Sequence, residues 1–257
     1  MASLLPETPL SIHRKRAVIV GASRGIGAAL ARELVGRGYF VALLSRDAAA
    51  LETLCAELNA GGRDNARAYT HDVTNDATIP GLFETILSDL KRIDSLVYNA
   101  GVMPTVGFSE YDFEKNKAMI DVQLLGGMAW LGAAAVLFEK MRSGQIVGIS
   151  SAAAERGRVK NPGYNASKAG FDAFLEALRN RLTRSGVHVL TVRPGPVDTD
   201  LTKEVGGFMM VQPGIVARDI ARAMESRAQV VYTPKRWRWI MLVVRNIPSV
   251  VFRRMNF

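Results

Sequence analysis

Tyr164 and Lys168 stand four residues apart in Tyr164-Asn165-Ala166-Ser167-Lys168. On a helix that spacing puts both side chains on one face. A free phenol, with a pKa of about 10, is a poor acid–base group at neutral pH. A neighbouring ammonium favours the phenolate and draws that value toward the working range, so the pair is a candidate proton-transfer device. Ser151 lies thirteen residues before Tyr164, just past an apolar run at 145–149 that reads as a strand. The carboxyl end of such a strand is where α/β sheets place their ligand crevice. Tyr-x-x-x-Lys alone also describes an ordinary pair on a helix surface, so its chemistry depends on the elements around it.

A second constellation opens the chain. Gly21, Gly25 and Gly27 directly follow the β-branched run 17–20 and lead into a helical pattern at 28–35, with Ser23, Arg24 and Ile26 between them. Glycine permits a tight turn and close approach of backbone to a pyrophosphate, while the helix N-terminus presents free N–H groups. The spacing is G-x-x-x-G-x-G, and the strand–turn–helix context that gives such a turn meaning is present. An acidic residue ending the second strand would bond a free ribose 2′-hydroxyl. This chain has Leu44-Ser45-Arg46 there, with Arg24 inside the turn. Two guanidiniums suit a 2′-phosphate, which favours NADP(H) over NAD(H); two solvated surface arginines are the plain alternative.

The elements that must position these residues alternate almost end to end. Strands read at 17–20, 39–44, 66–70, 95–98, 145–149, 187–192 and 230–232, each separated from the next by a helix-length segment. That order predicts an α/β domain with a parallel sheet and helices on both faces. No linker divides residues 1–257 and no repeat is visible, so a single domain is expected, with a C-terminal extension at about 233–257.

Composition excludes several functions. The single cysteine, Cys55, and three scattered histidines (His13, His71, His188) leave no disulfide framework or metal cluster. Residues 1–10 lack a basic start and an apolar core, so no signal peptide is expected and a cytoplasmic location follows. The apolar run 122–138, rich in Gly and Ala, reads as a buried or subunit-interface helix. The net charge of +9 would suit nucleic acid, but no recognition motif accompanies it. Residues 230–257 hold Lys235, Arg236, Arg238, Arg245, Arg253 and Arg254 with no acid; without those six, 27 basic residues face 24 acidic ones. Tryptophans and aliphatics interleave them, which fits either peripheral membrane contact or packing as a lid or across a subunit interface.

Taken in order, these motifs resemble the short-chain dehydrogenase/reductase family: G-A-S-R-G-I-G at 21–27, Asp72-Val73, Asn99-Ala100-Gly101, Ile149-Ser150-Ser151, Tyr164 to Lys168, and P-G-P-V-D-T at 194–199. The resemblance covers about residues 14–232. It implies a Rossmann-type, doubly wound parallel sheet, a nicotinamide cofactor, oxidoreductase chemistry on alcohols or carbonyls, and a homodimer or homotetramer. By the same resemblance Tyr164 protonates the carbonyl oxygen, Ser151 rather than Ser150 hydrogen-bonds it, and Lys168 lowers the phenol pKa and holds the nicotinamide ribose. Asp72 and Val73 contact the adenine. Asn99, with Ala100 and Gly101, supports the strand end beside the cofactor. Pro194, Gly195, Val197 and Thr199 line the nicotinamide end, Thr199 facing its carboxamide.

One position departs from the family pattern. Gln123 stands where a fourth catalytic residue, an asparagine, is usual. The extra methylene would move the amide and retune a proton relay to Lys168, so Gln123→Asn is expected to keep or raise turnover. The segment bearing Leu201, Val205, Phe208, Met209, Met210 and Val211 is apolar, which predicts a small apolar carbonyl or alcohol as substrate. The basic loop 156–160 reads as solvated, with an anionic substrate handle as the alternative. Against catalysis stands one other reading, a dinucleotide-binding sensor or scaffold of little activity, for which Gln123 is the support.

Overall fold

Seven short runs of aliphatic and β-branched residues become the strands: β1 (Arg16–Val20), β2 (Phe40–Ser45), β3 (Ala66–Thr70), β4 (Ser95–Tyr98), β5 (Gln145–Ile149), β6 (His188–Pro194) and β7 (Val230–Thr233). A computed structural model of the chain describes residues 14–203 and 209–255. All seven strands pair in parallel, in the order β3-β2-β1-β4-β5-β6-β7. The strand positions follow the sequence reading with small shifts. Tyr39 closes the preceding helix through its N–H to Leu34 O rather than starting β2, and β6 runs on to Pro194.

The helices are α1 (Gly25–Gly36), α2 (Ala48–Leu58), α3 (Ile79–Leu90), α4 (Phe113–Ile120), α5 (Gly126–Met141), α6 (Pro162–Leu182), α7 (Pro213–Glu225), α8 (Trp237–Asn246) and α9 (Ser249–Phe252). Strand side chains alternate between two cores, as a pleated strand requires. Ala17 and Ile19 join one core with leucines of α1 and α2 and Val216 and Ile220 of α7. Val18 and Val20 join the other with Phe83 of α3, Trp130 of α5 and Phe171 of α6. The sheet is therefore buried on both faces, which is why its strands are apolar throughout rather than alternating.

The chain winds outward from β1 through β2 to β3, then returns to place β4 on the other side of β1. Connections leaving β1 and β4 diverge there and open a crevice at their carboxyl ends. Small residues of α5 turn out to serve mostly internal packing. A Cβ on Gly126 would lie 2.6 Å from Tyr98 Oη, and one on Gly127 would lie 2.6 Å from Phe171. Gly132, Ala133 and Ala135 remain half-exposed, beside exposed Met128 and Val136.

Candidate active site

The crevice at the switch point is a cleft of about 960 Å³ whose walls come from the carboxyl ends of β1, β2, β4, β5 and β6. At one end, Gly21 adopts φ +85° and donates its N–H to Leu44 O at 2.8 Å. A Cβ at Gly21 would meet Ala100 N at 2.6 Å, and one at Gly27 would meet Gly21 O at 2.0 Å. Only glycine lets the turn, the start of α1 and the end of β4 pack this closely. Asn99 fastens the same three segments by donating its Nδ2 to Gly21 O at 2.7 Å. No side chain caps the N-terminus of α1, so its first-turn N–H groups stay open to an anion in the cleft.

Of the residues expected to bind a cofactor, Gly21, Ser23, Arg24, Gly25, Ile26, Arg46, Val73, Asn99, Ala100, Gly101, Pro194, Gly195, Val197 and Thr199 line the cleft. Gly27 lies beneath the wall, and Asp72 sits behind it, accepting from Thr74 N and pairing with Arg46 at 3.4 Å. Arg24 and Arg46 have side chains 73% and 61% exposed, and their carboxylate partners, Asp200 at 3.9 Å and Asp72, hold them loosely. Ser45 Oγ donates to Ser23 Oγ at 2.9 Å between them. That rim is two exposed, loosely paired guanidiniums and a hydroxyl pair.

The other end of the cleft holds Ser151, Tyr164 and Lys168. α6 carries Tyr164 and Lys168, both buried, and Ser151, at the start of the turn after β5, lines the same cleft close enough to the Tyr164 hydroxyl to favour its ionised form. Ser150 instead turns into the protein toward Lys168 O. Lys168 Nζ donates to Ile149 O at 2.8 Å and lies 5.9 Å from the centre of the Tyr164 ring. Burial pulls the Lys168 ammonium down to about 8, partly opposed by Asp172. An ammonium beside the phenol was expected to lower the tyrosine. In this structure burial outweighs such help and raises it, while the opposing influences are the nearby Ser151 hydroxyl and the Arg158 guanidinium rather than Lys168.

Arg158 corrects a second expectation. The loop 156–160 is not simply solvated: Arg158 Nε donates to Asn165 Oδ1 at 3.2 Å beside Tyr164, and burial lowers its pKa. Arg156 donates to Val244 O and Ile247 O, each at 2.6 Å, and lies 3.9 Å from the Phe252 ring centre, so that of the loop's three cations only Lys160 is exposed.

Gln123 occupies the expected place in sequence but faces away from the cleft. Tyr98 Oη reaches Val122 O in the wide turn Asp121–Leu125 between α4 and α5, and that turn places the Gln123 amide wholly inside the protein. Its Oε1 accepts from Val102 N at 3.1 Å and its Nε2 donates to Ser167 Oγ at 3.0 Å. Ser167 Oγ in turn donates to Tyr164 O at 2.9 Å. Both ends of the amide are thus committed, and it ties the loop after β4 to the helix turn that carries the tyrosine.

Sequence reasoning missed the apolar wall opposite Tyr164. Val102, Met103 and Pro104 line the cleft, and Val102 and Met103 pack with Met119, Ala153 and Tyr164. The signal was a short apolar run directly after Asn99-Ala100-Gly101. Leu201 also lines the cleft, and Val211 pairs with Val197 as an isolated bridge. Met209 is partly exposed at the near end of this segment, and Val205 and Phe208 lie outside the described residues.

Comparison with known proteins agrees with the geometry. The sequence profile of the short chain dehydrogenase family matches residues 15–210. An uncharacterized oxidoreductase of Staphylococcus haemolyticus is 31% identical over 85% of this chain and 94% of its own length. A 3-oxoacyl-[acyl-carrier-protein] reductase of Synechocystis sp. is 34% identical over 76% of this chain and 79% of its own. A solved short-chain dehydrogenase from Sphingobium yanoikuyae, in complex with NADPH, superposes with a TM-score of 0.79 at 25% identity, covering 91% of this chain and 97% of that one. With its phosphate-type cradle and Ser151–Tyr164–Lys168 grouping in one cleft, the chain belongs to the short-chain dehydrogenase/reductase family of oxidoreductases.

Proposed function

We propose that the protein is an NADP(H)-dependent carbonyl reductase, or in the reverse sense an alcohol dehydrogenase, acting on an apolar ketone or aldehyde or the matching secondary alcohol. The observation that carries this reading is Ser151, Tyr164 and buried Lys168 brought together at the far end of a cleft whose near end is a glycine cradle with two exposed, loosely paired guanidiniums. The cradle suits a dinucleotide because a Cβ at Gly21 would already strike backbone, and the N-terminus of α1 is uncapped. Gly21, Ser23, Gly25 and Ile26 would hold the pyrophosphate, Val73 the adenine, and Pro194, Val197 and Thr199 the nicotinamide. Arg24 and Arg46 match a 2′-phosphate, and the relative solved as an NADPH complex supports that choice.

Such a cofactor, when bound, supplies a hydride to the carbonyl carbon or accepts one from the carbinol carbon. The Ser151 hydroxyl holds the substrate oxygen next to Tyr164 Oη. In reduction the phenol O–H breaks and its proton passes to that oxygen as the carbon gains its hydrogen, leaving a phenolate. Arg158 stabilises this phenolate, and a cation so placed in a poorly solvated pocket acts far more strongly than in water; the Lys168 ammonium, 5.9 Å from the ring centre, adds to it once the charge has formed. In oxidation the same phenolate takes the proton back. Val102, Met103, Pro104 and Leu201 give the substrate end an apolar wall, which suits an apolar group beside the carbonyl.

The exposed outer side of α5, with Met128, Val136 and half-exposed Gly132, is the surface we assign to self-association as a dimer or tetramer. The test of function is a panel of ketones and aldehydes incubated with NADPH or NADH. Apolar carbonyls should consume NADPH in step with alcohol formed, and faster than NADH. A panel in which no carbonyl is reduced, with cofactor binding intact, would overturn the proposal in favour of a non-catalytic dinucleotide-binding role.

A further inference from the structure

The C-terminal extension packs on its own chain by one face only. Met241 and Val244 of α8 are buried and, with Trp237 and Ile240, meet Ala152, Tyr232 and Phe252. Arg156 fixes the end of this helix through Val244 O and Ile247 O. The opposite side of α8 carries Trp239, Leu242 and Val243, spaced i, i+3 and i+4, so they form one stripe. Trp239 and Val243 are each 65% exposed and Leu242 is 40% exposed. Exposed Val250 and Val251 of α9 follow.

Charge says what covers this stripe. Residues 226–257 contain no acidic side chain, while exposed Lys235, Arg236, Arg238, Arg245, Arg253 and Arg254 border the apolar positions. Among them only Arg245 has a carboxylate within ion-pair range among the described residues, Glu155 at 3.8 Å. A second copy of the chain would bring this uniformly basic surface no compensating acid from the same segment. An interfacial helix with a tryptophan-bearing apolar side and arginine flanks is what an anionic lipid surface binds.

We infer that the outer face of α8, with α9, docks the protein on anionic phospholipid bilayers. The helix starts beside the cleft, since a Cβ on Gly195 would lie 2.0 Å from Trp237 Nε1. Arg236 also holds Met209 O at the end of the segment that borders the cleft. Docking therefore sets the mouth of the site next to the lipid, where apolar compounds are concentrated.

The experiment uses the full chain with vesicles of phosphatidylcholine alone or mixed equally with phosphatidylglycerol. The protein sediments with the mixed vesicles at low salt and is released by added salt or by omitting phosphatidylglycerol. Replacing Arg238, Arg253 and Arg254 by serine weakens binding about a hundredfold, at about fivefold per charge. Trp239→Ser with Val243→Ser abolishes it, and unchanged circular dichroism melts of both variants show that folding is intact. Trp130 is buried and Trp237 half-buried, so a blue shift of emission on vesicle addition reports Trp239, and Trp239→Phe binds without that shift. Protein left in the supernatant with mixed vesicles at low salt overturns the inference. So does binding that the Trp239 and Val243 substitutions leave unchanged. A blue shift that grows with protein concentration in the absence of lipid would assign the stripe to a second copy instead.

Discussion

Two sets of charged and phenolic groups, one around Asp172 of α6 and one around the cleft that Tyr164 and Lys168 of α6 face, are built on opposite logic. In one, Arg193 of β6 donates to Asp172 at 2.8 Å and to Tyr232 Oη at 2.7 Å, and faces Glu155 at 3.5 Å, while Tyr232 donates to that same Glu155. Its cation, its phenol and one oxygen of each carboxylate find hydrogen-bond partners inside the protein. In the other, Tyr164, Lys168, Arg24 and Arg46 all face a cleft with bonding capacity in hand. Lys168 uses one of three donors on Ile149 O, and the two arginines hold distant, exposed carboxylates. Both clusters contain a tyrosine beside a cation, at 5.5 Å for Arg193 over Tyr232 and 5.9 Å for Lys168 over Tyr164. Residue type and proximity therefore do not separate scaffold from site; the direction of the unsatisfied groups does.

Substitutions in the two clusters should fail in different ways. Arg193→Ala leaves the largely buried Asp172 and Glu155 carboxylates without their shared cation, and stability should fall by about 3 kcal/mol in urea melts. Little change in stability would mean that this network is as loosely held as the rim of the cleft. Lys168→Met should do the reverse. A lysine brought down to about 8 by burial binds fewer protons folded than unfolded between pH 8 and its ordinary value, so wild-type stability rises with pH across that window. Removing the amine should therefore raise stability by about 1–2 kcal/mol at pH 7 while reduction is lost. In the wild type, reduction should hold steady at neutral pH and decline as pH passes about 8, where the cation goes.

Arg46→Ser tests the rim. It should lower the preference for NADPH over NADH about tenfold, the scale of one charge-assisted hydrogen bond, and leave the melting curve unchanged. Equal loss for both cofactors would show that Arg46 supports the turn rather than reading a phosphate. The smallest effect belongs to Gln123→Asn. A side chain shorter by one carbon–carbon bond cannot span Val102 N and Ser167 Oγ together, so the variant should lose about 1 kcal/mol of stability and show a raised KM. The family pattern alone leads to kept or raised turnover, and the two hydrogen bonds of this amide add the cost in stability and KM.

The strands and the glycine turn were legible because their signals are local: a β-branched run, then glycines at fixed steps, then a helix. Tyr164 and Lys168 were legible for the same reason, one turn apart on α6. The Arg193 network was not, because Asp172, Glu155 and Tyr232 join it only through the sheet order. Gln123 was reached through the family resemblance, but no pattern in Asp121-Val122-Gln123-Leu124 reveals a wide turn that points its amide inward. Arg158 was misjudged because a Gly- and Lys-containing loop has the composition of a solvated one, whereas folding carries it against Tyr164. The tail's apolar and basic character was plain in the sequence; which face packs on the chain became clear only from the contacts of Met241 and Val244.

The central claim is that Tyr164 delivers the proton that accompanies hydride transfer. It is tested most directly by incubating the wild type and Tyr164→Phe with 4-deuterated NADPH and a carbonyl the wild type reduces, and following deuterium in the alcohol by mass spectrometry. Wild type should place deuterium on the former carbonyl carbon. The variant should bind NADPH with unchanged affinity yet transfer deuterium about a thousandfold more slowly, within the range for loss of a general acid. Transfer at the wild-type rate in Tyr164→Phe would contradict the assignment.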